Sequence, residues 1–186
     1  MIFLFLPLVL AVLLFPYGWM LFHRHRMIKR LRATGERLGF RWTPFGKGFL
    51  FAGNRSKRYQ FCLENQEKVF LVKLWACYRR GTVLLVGEDG RVSVRSRYPR
   101  PLFKTEEEQS QRQTVDGAWR AVPKTRAPKT DFKGKQVIPV LLSYPTYDGV
   151  VYLRSDKMIP VRNGDTLFGK KFFTPSALER AMTQGD

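Results

Sequence analysis

The sequence predicts an α+β protein in which one N-terminal transmembrane helix is followed by a mainly antiparallel β domain with a few short helices. Residues 1–22 carry no charged side chain, and a basic segment follows them directly. From residue 40 onward, short apolar runs alternate with turn-forming residues, which is typical of strands. The predicted parts are a membrane anchor at 1–22, a basic juxtamembrane helix at 23–39 and a cytoplasmic α+β domain at 40–186, with a basic loop or insertion at 99–135.

The predicted anchor is long enough to cross a bilayer, because about 20 helical residues cover the roughly 30 Å of its hydrocarbon core. Tyr17 and Trp19 stand where interfacial aromatic residues are expected. A cleaved signal peptide is the alternative, but it needs a positively charged start, and no Lys or Arg precedes Arg24. Since the basic residues follow the apolar segment, the positive-inside rule predicts a single-pass cell-membrane protein with its N-terminus outside and the remaining chain in the cytoplasm.

The basic excess is concentrated beside this anchor. The formal net charge is +18, and residues 23–58 hold eleven Lys or Arg but one acid, whereas residues 136–186 hold six basic and five acidic residues. Such a gradient suits orientation in a membrane and attraction to anionic headgroups. The alternative is a charged helix face in contact with solvent. The predicted lipid or anion contacts are Arg24, Arg26, Lys29, Arg30 and Arg32.

The juxtamembrane segment is predicted to be helical because Ile28, Leu31 and Leu38 recur at helical spacing and Gly39 is a stop signal. Strands are then predicted at 40–44, 48–53, 57–64, 68–78, 82–87 and 91–98, as an antiparallel meander.

A hairpin that turns near Asn65 and Gln66 would place Cys62 opposite about Val69. That register makes a disulfide with Cys77 unlikely, and two cysteines without regular spacing fit a reducing compartment.

Three arginines alternate with serine on the strand at 91–98. Arg91, Arg95 and Arg97 project from one face of this strand. They suit a phosphate or an acidic peptide, and equally the solvated side of an edge strand, where charge discourages unwanted pairing. They are therefore a possible anion-binding strand face.

The part of the chain after residue 98 begins with a segment in which no strand is predicted. A short surface helix is predicted at 104–113, and an extended basic loop at 121–135 contains Pro123 and Pro128. A buried strand at 136–144 and short strands at 150–154 and 157–161 follow. The chain ends in a helix with Thr174 as N-cap and Pro175 in its first position.

This order of elements resembles in outline the restriction-endonuclease-like and nuclease-related domains. Those families place an Asp, and then an acid and a Lys one residue apart, on adjoining core strands, where the acids hold Mg²⁺. The strands predicted at 68–78 and 82–87 contain no acidic residue, and Glu67 lies just before the first of them. The sequence Asp131-Phe132-Lys133 matches the acid-x-Lys pattern, but it lies in the predicted basic loop. The resemblance therefore covers topology and no motif.

No other catalytic pattern is present in the sequence. Both histidines, at 23 and 25, lie at the anchor boundary, so the domain has no histidine base, and no residue set predicts a metal site or a cofactor. The predicted function is a non-enzymatic accessory or interaction module whose partners are the membrane, its anionic lipid headgroups and an unidentified protein. The alternative is a membrane-tethered nucleic-acid-binding domain of degenerate nuclease-like fold, which the charge gradient does not favour.

Overall fold

The structure is a computed structural model, and it describes residues 2–46, 57–75, 82–96, 122–126, 128, 130–144, 149–154 and 157–184. Within these ranges, the side chains of 2–17, 20, 82 and 94–96 are not described. The strand predicted at 48–53, the helix predicted at 104–113, Cys77 and Arg97 lie outside the described residues.

The described residues form two helices and ten strands, so the predicted mixed α+β class is confirmed. The helices are α1 (Ile2–Arg37) and α2 (Pro175–Gln184). The strands, in chain order, are β1 (Arg41–Pro44), β2 (Phe61–Glu64), β3 (Lys68–Trp75), β4 (Thr82–Val86), β5 (Val92–Ser96), β6 (Gln136–Ser143), β7 (Gly149–Arg154), β8 (Lys157–Pro160), β9 (Thr166–Leu167) and β10 (Lys170–Phe173).

Helix α1 runs without interruption for 36 residues and ends where the sequence predicts. Gly39 has a φ of 81°, a backbone conformation that glycine adopts at little cost. The N–H of Phe40 donates to the carbonyl of Gly35 at 2.8 Å, and the N–H of Gly39 donates to the carbonyl of Glu36 at 3.1 Å. These two bonds form a Schellman motif, which satisfies carbonyls that the helix leaves unpaired.

Among the residues that the structure describes, no helix combines the length and the apolar character needed to cross a membrane. The spanning role of residues 1–22 stays a prediction.

The strands form two sheets. The larger has the order β1-β2-β3-β6-β10-β9 and the smaller the order β5-β4-β7-β8. Most of the strand pairs are antiparallel, as the sequence predicts, but β3 with β6, β6 with β10 and β4 with β7 are parallel. The expected simple meander is therefore wrong at the centre of both sheets. The parallel pairs join distant parts of the chain, and central strands that are apolar on both faces suit this arrangement.

The described elements stack in three layers: the helices, the six-stranded sheet and the four-stranded sheet. On β3, Phe70, Val72 and Leu74 face the helices, where they join Leu31 and Leu178 in one core. The alternate side chains of β3 lie on the opposite face of the larger sheet, because successive residues of a strand point to opposite faces. Val69 and Leu71 join Tyr59 and Cys62 in a separate cluster, and Trp75 packs against the smaller sheet. There the second core contains the following residues from both sheets: Trp75, Leu141 and Phe172, with Leu84, Val86 and Val150.

Helix α2 begins as predicted, with Pro175 in its first position after Thr174. The N–H groups of Ala177 and Leu178 donate to the carbonyl of Thr174 at 3.1 and 2.9 Å. Strands β9 and β10, which precede this helix, are not predicted from the sequence. Strand β10 pairs with β6 and thereby brings α2 onto the helical layer.

The basic segment predicted at 99–135 lies only partly within the described residues. Residues 122–126 belong to no helix or strand, and they contact the domain. Val122 is buried in the second core, and its N–H donates to the carbonyl of Gly90 at 3.0 Å. The N–H of Arg126 donates to the carbonyl of Lys57 at 2.8 Å. This part of the segment therefore packs along the sheets.

Candidate functional site

The best-defined candidate site is the stretch of α1 that first touches the domain. Met27, Ile28 and Leu31 are buried there, and their spacing of three or four residues places them on one face of the helix. The other side of the same turns is exposed and basic. It carries four of the five predicted anion contacts, namely Arg26, Lys29, Arg30 and Arg32.

Arg24, the fifth predicted contact, lies on the buried face. Its exposed fraction is 5%, and its charge lies close enough to Lys73 to help lower the pKa of that lysine. Its spacing from Met27, Ile28 and Leu31 places it on their stripe. Arg24 therefore differs from the other predicted contacts, because it belongs to the packing between α1 and the sheet.

Arg30 joins the two helices through an ion pair. Its Nε donates to Oε1 of Glu179 at 2.8 Å, and its Nη2 donates to Oε2 at 2.6 Å. This hydrogen bond, with the attraction of the carboxylate, raises the pKa of Arg30. The two parallel bonds fix the plane of the guanidinium and leave its second amino group, Nη1, outside the pair.

The remaining basic residues of the exposed face differ in their partners. Nε of Arg32 donates to Oε1 of Glu36 one turn later, at 2.7 Å. Neither Arg26 nor Lys29 lies within ion-pair distance of a carboxylate in the part of the chain that the structure describes. These two cations are therefore the most available of the predicted set.

Two large aromatic side chains precede these cations. Trp19 is 56% exposed and Phe22 is 58% exposed. Their rings meet the imidazole of His23 edge to face, with centroid distances of 4.6 and 5.7 Å. The carbonyl of His23 accepts a hydrogen bond from the hydroxyl of Tyr144 at 3.2 Å, which ties this turn to the end of β6. Exposed aromatic rings beside exposed cations are typical of a membrane–water interface.

A cleft of about 430 Å³ lies between α1 and the first turn of α2. Arg26, Arg30 and Met27 line it on the α1 side, and Ser176 and Glu179 line it on the α2 side. Its size falls in the range of sites for small molecules. A separate cleft of about 480 Å³ lies beside the other end of α2, and none of the predicted contact residues lines it.

The predicted arginine face of β5 is only partly described. Arg91 is exposed, and its Nε lies 3.1 Å from Oδ2 of Asp89, so one carboxylate already compensates its charge. Arg95 pairs with Val83 across the β4–β5 ladder, and its side chain is not described. Arg97 lies outside the described residues. A binding role for this face stays a prediction.

A buried cation that the sequence analysis does not assign to any site lies inside the domain. Lys73 on β3 is 0% exposed, and its Nζ donates to the carbonyl of Arg58 at 3.2 Å. Burial, followed by the charges of Arg24 and Lys170, lowers its pKa from 10.5 to about 8. Lys170 on β10 is also buried, which lowers its pKa as well. The signal that marks Lys73 is its position as the single charged residue in the otherwise apolar run from Val69 to Trp75.

The described residues contain few of the side-chain groups that common catalytic sites use. They contain no group of three His, Cys, Asp or Glu side chains that could hold a metal ion. Burial raises the pKa of the Cys62 thiol, which disfavours the reactive thiolate. Asp131 and Lys133 lie on the surface, 3.4 Å apart between Oδ2 and Nζ. Nζ of Lys73 is enclosed, and Leu71 stands where the acid of the nuclease pattern would be.

Comparisons of this chain with protein-family models, with curated proteins and with solved structures give no significant match.

Proposed function

We propose that this chain is a single-pass membrane protein whose basic domain works without catalysis, as an accessory or interaction module at an anionic lipid surface. Residues 1–22 anchor it, and the domain from residue 40 onward lies in the cytoplasm, with the N-terminus on the other side of the membrane. The juxtamembrane helix holds the domain close to the bilayer, where its basic surface meets lipid headgroups and a protein partner.

The exposed aromatic and basic residues of α1 carry this proposal. Trp19 and Phe22 are more than half exposed, and Arg26 and Lys29 follow within two turns without a described carboxylate partner. An interfacial depth suits both kinds of side chain, since the rings enter the headgroup region and the cations meet its phosphates. In water alone, such exposed rings gain nothing from their position.

The sequence of the preceding residues supports an anchor. Residues 1–22 hold no charged side chain, and at about 1.5 Å per residue a helix of this length covers roughly 30 Å. The first basic residues stand on the C-terminal side, and the positive-inside rule then favours a cytoplasmic domain. A juxtamembrane cation near an anionic surface contributes about 1 kcal/mol of attraction.

Reversing the charges of the two available cations tests this proposal. The double variant Arg26→Glu and Lys29→Glu, in the full chain, should insert with mixed or inverted topology, as measured by protease accessibility of the C-terminal domain in sealed vesicles. The matched control is the double variant Arg154→Glu and Lys157→Glu, which reverses two exposed cations at the edge of the smaller sheet. Wild-type chain that stays out of the vesicle fraction on flotation would contradict the anchor.

Strand connectivity favours a second candidate, a tethered nucleic-acid-binding domain. The larger sheet, with antiparallel strands β1 to β3 followed by the buried strand β6, and the terminal helix α2 support this candidate, because the sequence resembles nuclease-like domains in that outline. Binding of DNA or RNA to the detergent-solubilised full chain, titrated with salt, separates the candidates, because phosphate contacts weaken steeply as salt rises. Absence of binding to either polymer at low salt would exclude this candidate.

A further inference from the structure

The cleft between α1 and α2 has unequal numbers of cations and acids. Arg26 and Arg30 contribute two positive charges to its lining, and Glu179 contributes one negative charge. Arg26 is four residues before Arg30, so both side chains leave the same face of α1. The cleft can therefore take up one further negative charge.

The ion pair with Glu179 orients Arg30 for a second ligand. The carboxylate receives bonds from Nε and Nη2, which leaves both N–H groups of Nη1 and one of Nη2 for another acceptor. A guanidinium held in this way has lost most of its conformational freedom before a ligand arrives, so the entropic cost of binding falls. Ser176, which is exposed on the opposite wall, adds a hydroxyl that can donate or accept.

The position of the cleft indicates that the anion it binds is the phosphate of a lipid. It follows the exposed rings of Trp19 and Phe22 by one to two turns of α1, which is the depth of lipid phosphates if those rings lie at the interface. The buried side chain of Met27 and the ring of Pro175 give the cleft an apolar part. A lipid headgroup attached to glycerol has this combination of a charged phosphate and a less polar stem.

We propose that the α1–α2 cleft is a binding site for the phosphodiester of one anionic phospholipid, held by Arg26 and by the outer edge of the Arg30 guanidinium. This inference rests on the proposed membrane location of the protein and adds a defined site to it. It replaces a diffuse attraction to the surface with one lipid per chain, and the bound lipid would link α1 to α2 at the membrane.

Native mass spectrometry of the full chain in detergent tests the site directly, with phosphatidylglycerol as the probe and inorganic phosphate as the second arm. Two variants weaken the site in different ways. Arg26→Gln removes a phosphate donor, and Ser176→Phe fills the cleft from an exposed position. Arg37→Gln is the matched control, because Arg37 is an exposed cation of the same helix that neither lines the cleft nor belongs to the predicted lipid contacts.

The wild type should hold one phosphatidylglycerol, and Arg26→Gln should bind it about tenfold more weakly, as expected for loss of a charge-assisted hydrogen bond. Ser176→Phe should weaken binding to a similar extent, because its ring occupies the cleft. Arg37→Gln should stay within about twofold of the wild type. Equal binding by Arg26→Gln and the wild type, or an equal loss in Arg37→Gln, would overturn the site. Inorganic phosphate that binds as tightly as the lipid would overturn its assignment to a phospholipid.

Vesicle flotation separates this inference from the proposed function. Arg26→Gln retains residues 1–22, so it should float with the vesicles as the wild type does even though its cleft binds lipid weakly. Unchanged lipid binding by Arg26→Gln, together with normal flotation, would contradict the lipid site in the cleft but not the proposed membrane location. A wild-type chain that fails to float with the vesicles would contradict the proposed membrane location itself.

Discussion

Replacement of Lys73 by methionine should stabilise the domain at neutral pH, because Lys73 carries a charged amine that is fully buried inside the domain. Its pKa is about 8 in the folded chain against an ordinary 10.5, and each pKa step corresponds to about 1.36 kcal/mol. Burial of the charge, together with the charges of Arg24 and Lys170, therefore costs about 3 kcal/mol. The hydrogen bond from Nζ to the carbonyl of Arg58 returns about 1 kcal/mol, so Lys73→Met should raise the free energy of unfolding by about 2 kcal/mol.

The lowered pKa of Lys73 also predicts how the free energy of unfolding changes with pH. Since the pKa is lowered in the folded state, Lys73 loses its proton in the folded chain before it does in the unfolded chain. Between about pH 8 and pH 10.5 the unfolded chain binds more protons, and the free energy of unfolding rises with pH. Below about pH 8 the full cost is present. Lys170, whose pKa is also lowered by burial, contributes a rise of its own in both proteins.

Urea unfolding of the full chain in detergent micelles, followed by tryptophan fluorescence at several pH values, measures this difference. The advantage of Lys73→Met should be largest at pH 7 and should shrink as the pH approaches 10.5. Lys157→Met, which changes an exposed lysine of β8, should stay within about 0.5 kcal/mol of the wild type. A variant less stable than the wild type at pH 7, or a difference that does not change with pH, would refute the reasoning.

Three further substitutions test the packing of the helical layer by the same unfolding assay. A Cβ at Gly35 would lie 2.8 Å from Cδ2 of the fully buried Leu63, so Gly35→Ala should cost about 1 kcal/mol in spite of the better helix propensity of alanine. Leu178→Ala should cost about 2–5 kcal/mol, because it empties part of the core under α2. Glu179→Ala should cost less than about 1 kcal/mol, because its partner Arg30 is largely exposed.

Two of these substitutions have a matched control elsewhere in the helical layer. Gly18→Ala adds a methyl group to the same helix where nothing lies within 4 Å, so it should not destabilise the chain. Arg32→Ala should resemble Glu179→Ala, since it also breaks an exposed pair. Gly35→Ala that stabilises as Gly18→Ala does would show that Leu63 yields easily, and a neutral Leu178→Ala would contradict the described core.

The hairpin between β2 and β3 shows which features are readable from sequence. The turn at Asn65 is predicted correctly, but the structure pairs Cys62 with Leu71 and not with Val69. The side chain of Asn65 accepts hydrogen bonds from the N–H groups of Glu67 and Lys68 at 3.0 and 2.6 Å, which lengthens the turn. A shift of two residues preserves every face because the period of a strand is two, so the buried residues are still predicted correctly.

Pairings between distant segments are not readable in the same way. Nothing local in β3 specifies that its second neighbour is β6, about seventy residues later, or that the pair is parallel. The two-residue strand β9 and its tight turn to β10 are also missed, because Phe168 adopts a φ of 49° that few non-glycine residues adopt. Lysines at 170 and 171 further conceal β10, although Phe172 and Phe173 pack on opposite faces of the sheet.

The burial of Arg24 and Lys73 changes the meaning of the basic composition. Both stand at positions whose spacing predicts burial, Arg24 on the stripe of Met27 and Leu31, and Lys73 on a strand that is buried from Val69 to Trp75. A charged side chain normally argues against a core position, so their charge hides the pattern. Such buried residues increase the net charge of the chain, but a binding partner cannot contact them.

The attraction that α1 can exert on an anionic surface is therefore smaller than the sequence alone implies. Of the five cations that the sequence places beside the anchor, Arg24 is buried, and Arg30 and Arg32 are paired with carboxylates. Arg26 and Lys29 remain, and at about 1 kcal/mol each they supply about 2 kcal/mol, too little to hold a domain on a membrane alone. In the proposed membrane location, stable attachment would require insertion of residues 1–22, the basic face would set the orientation, and the proposed lipid site in the α1–α2 cleft would add selectivity for a headgroup.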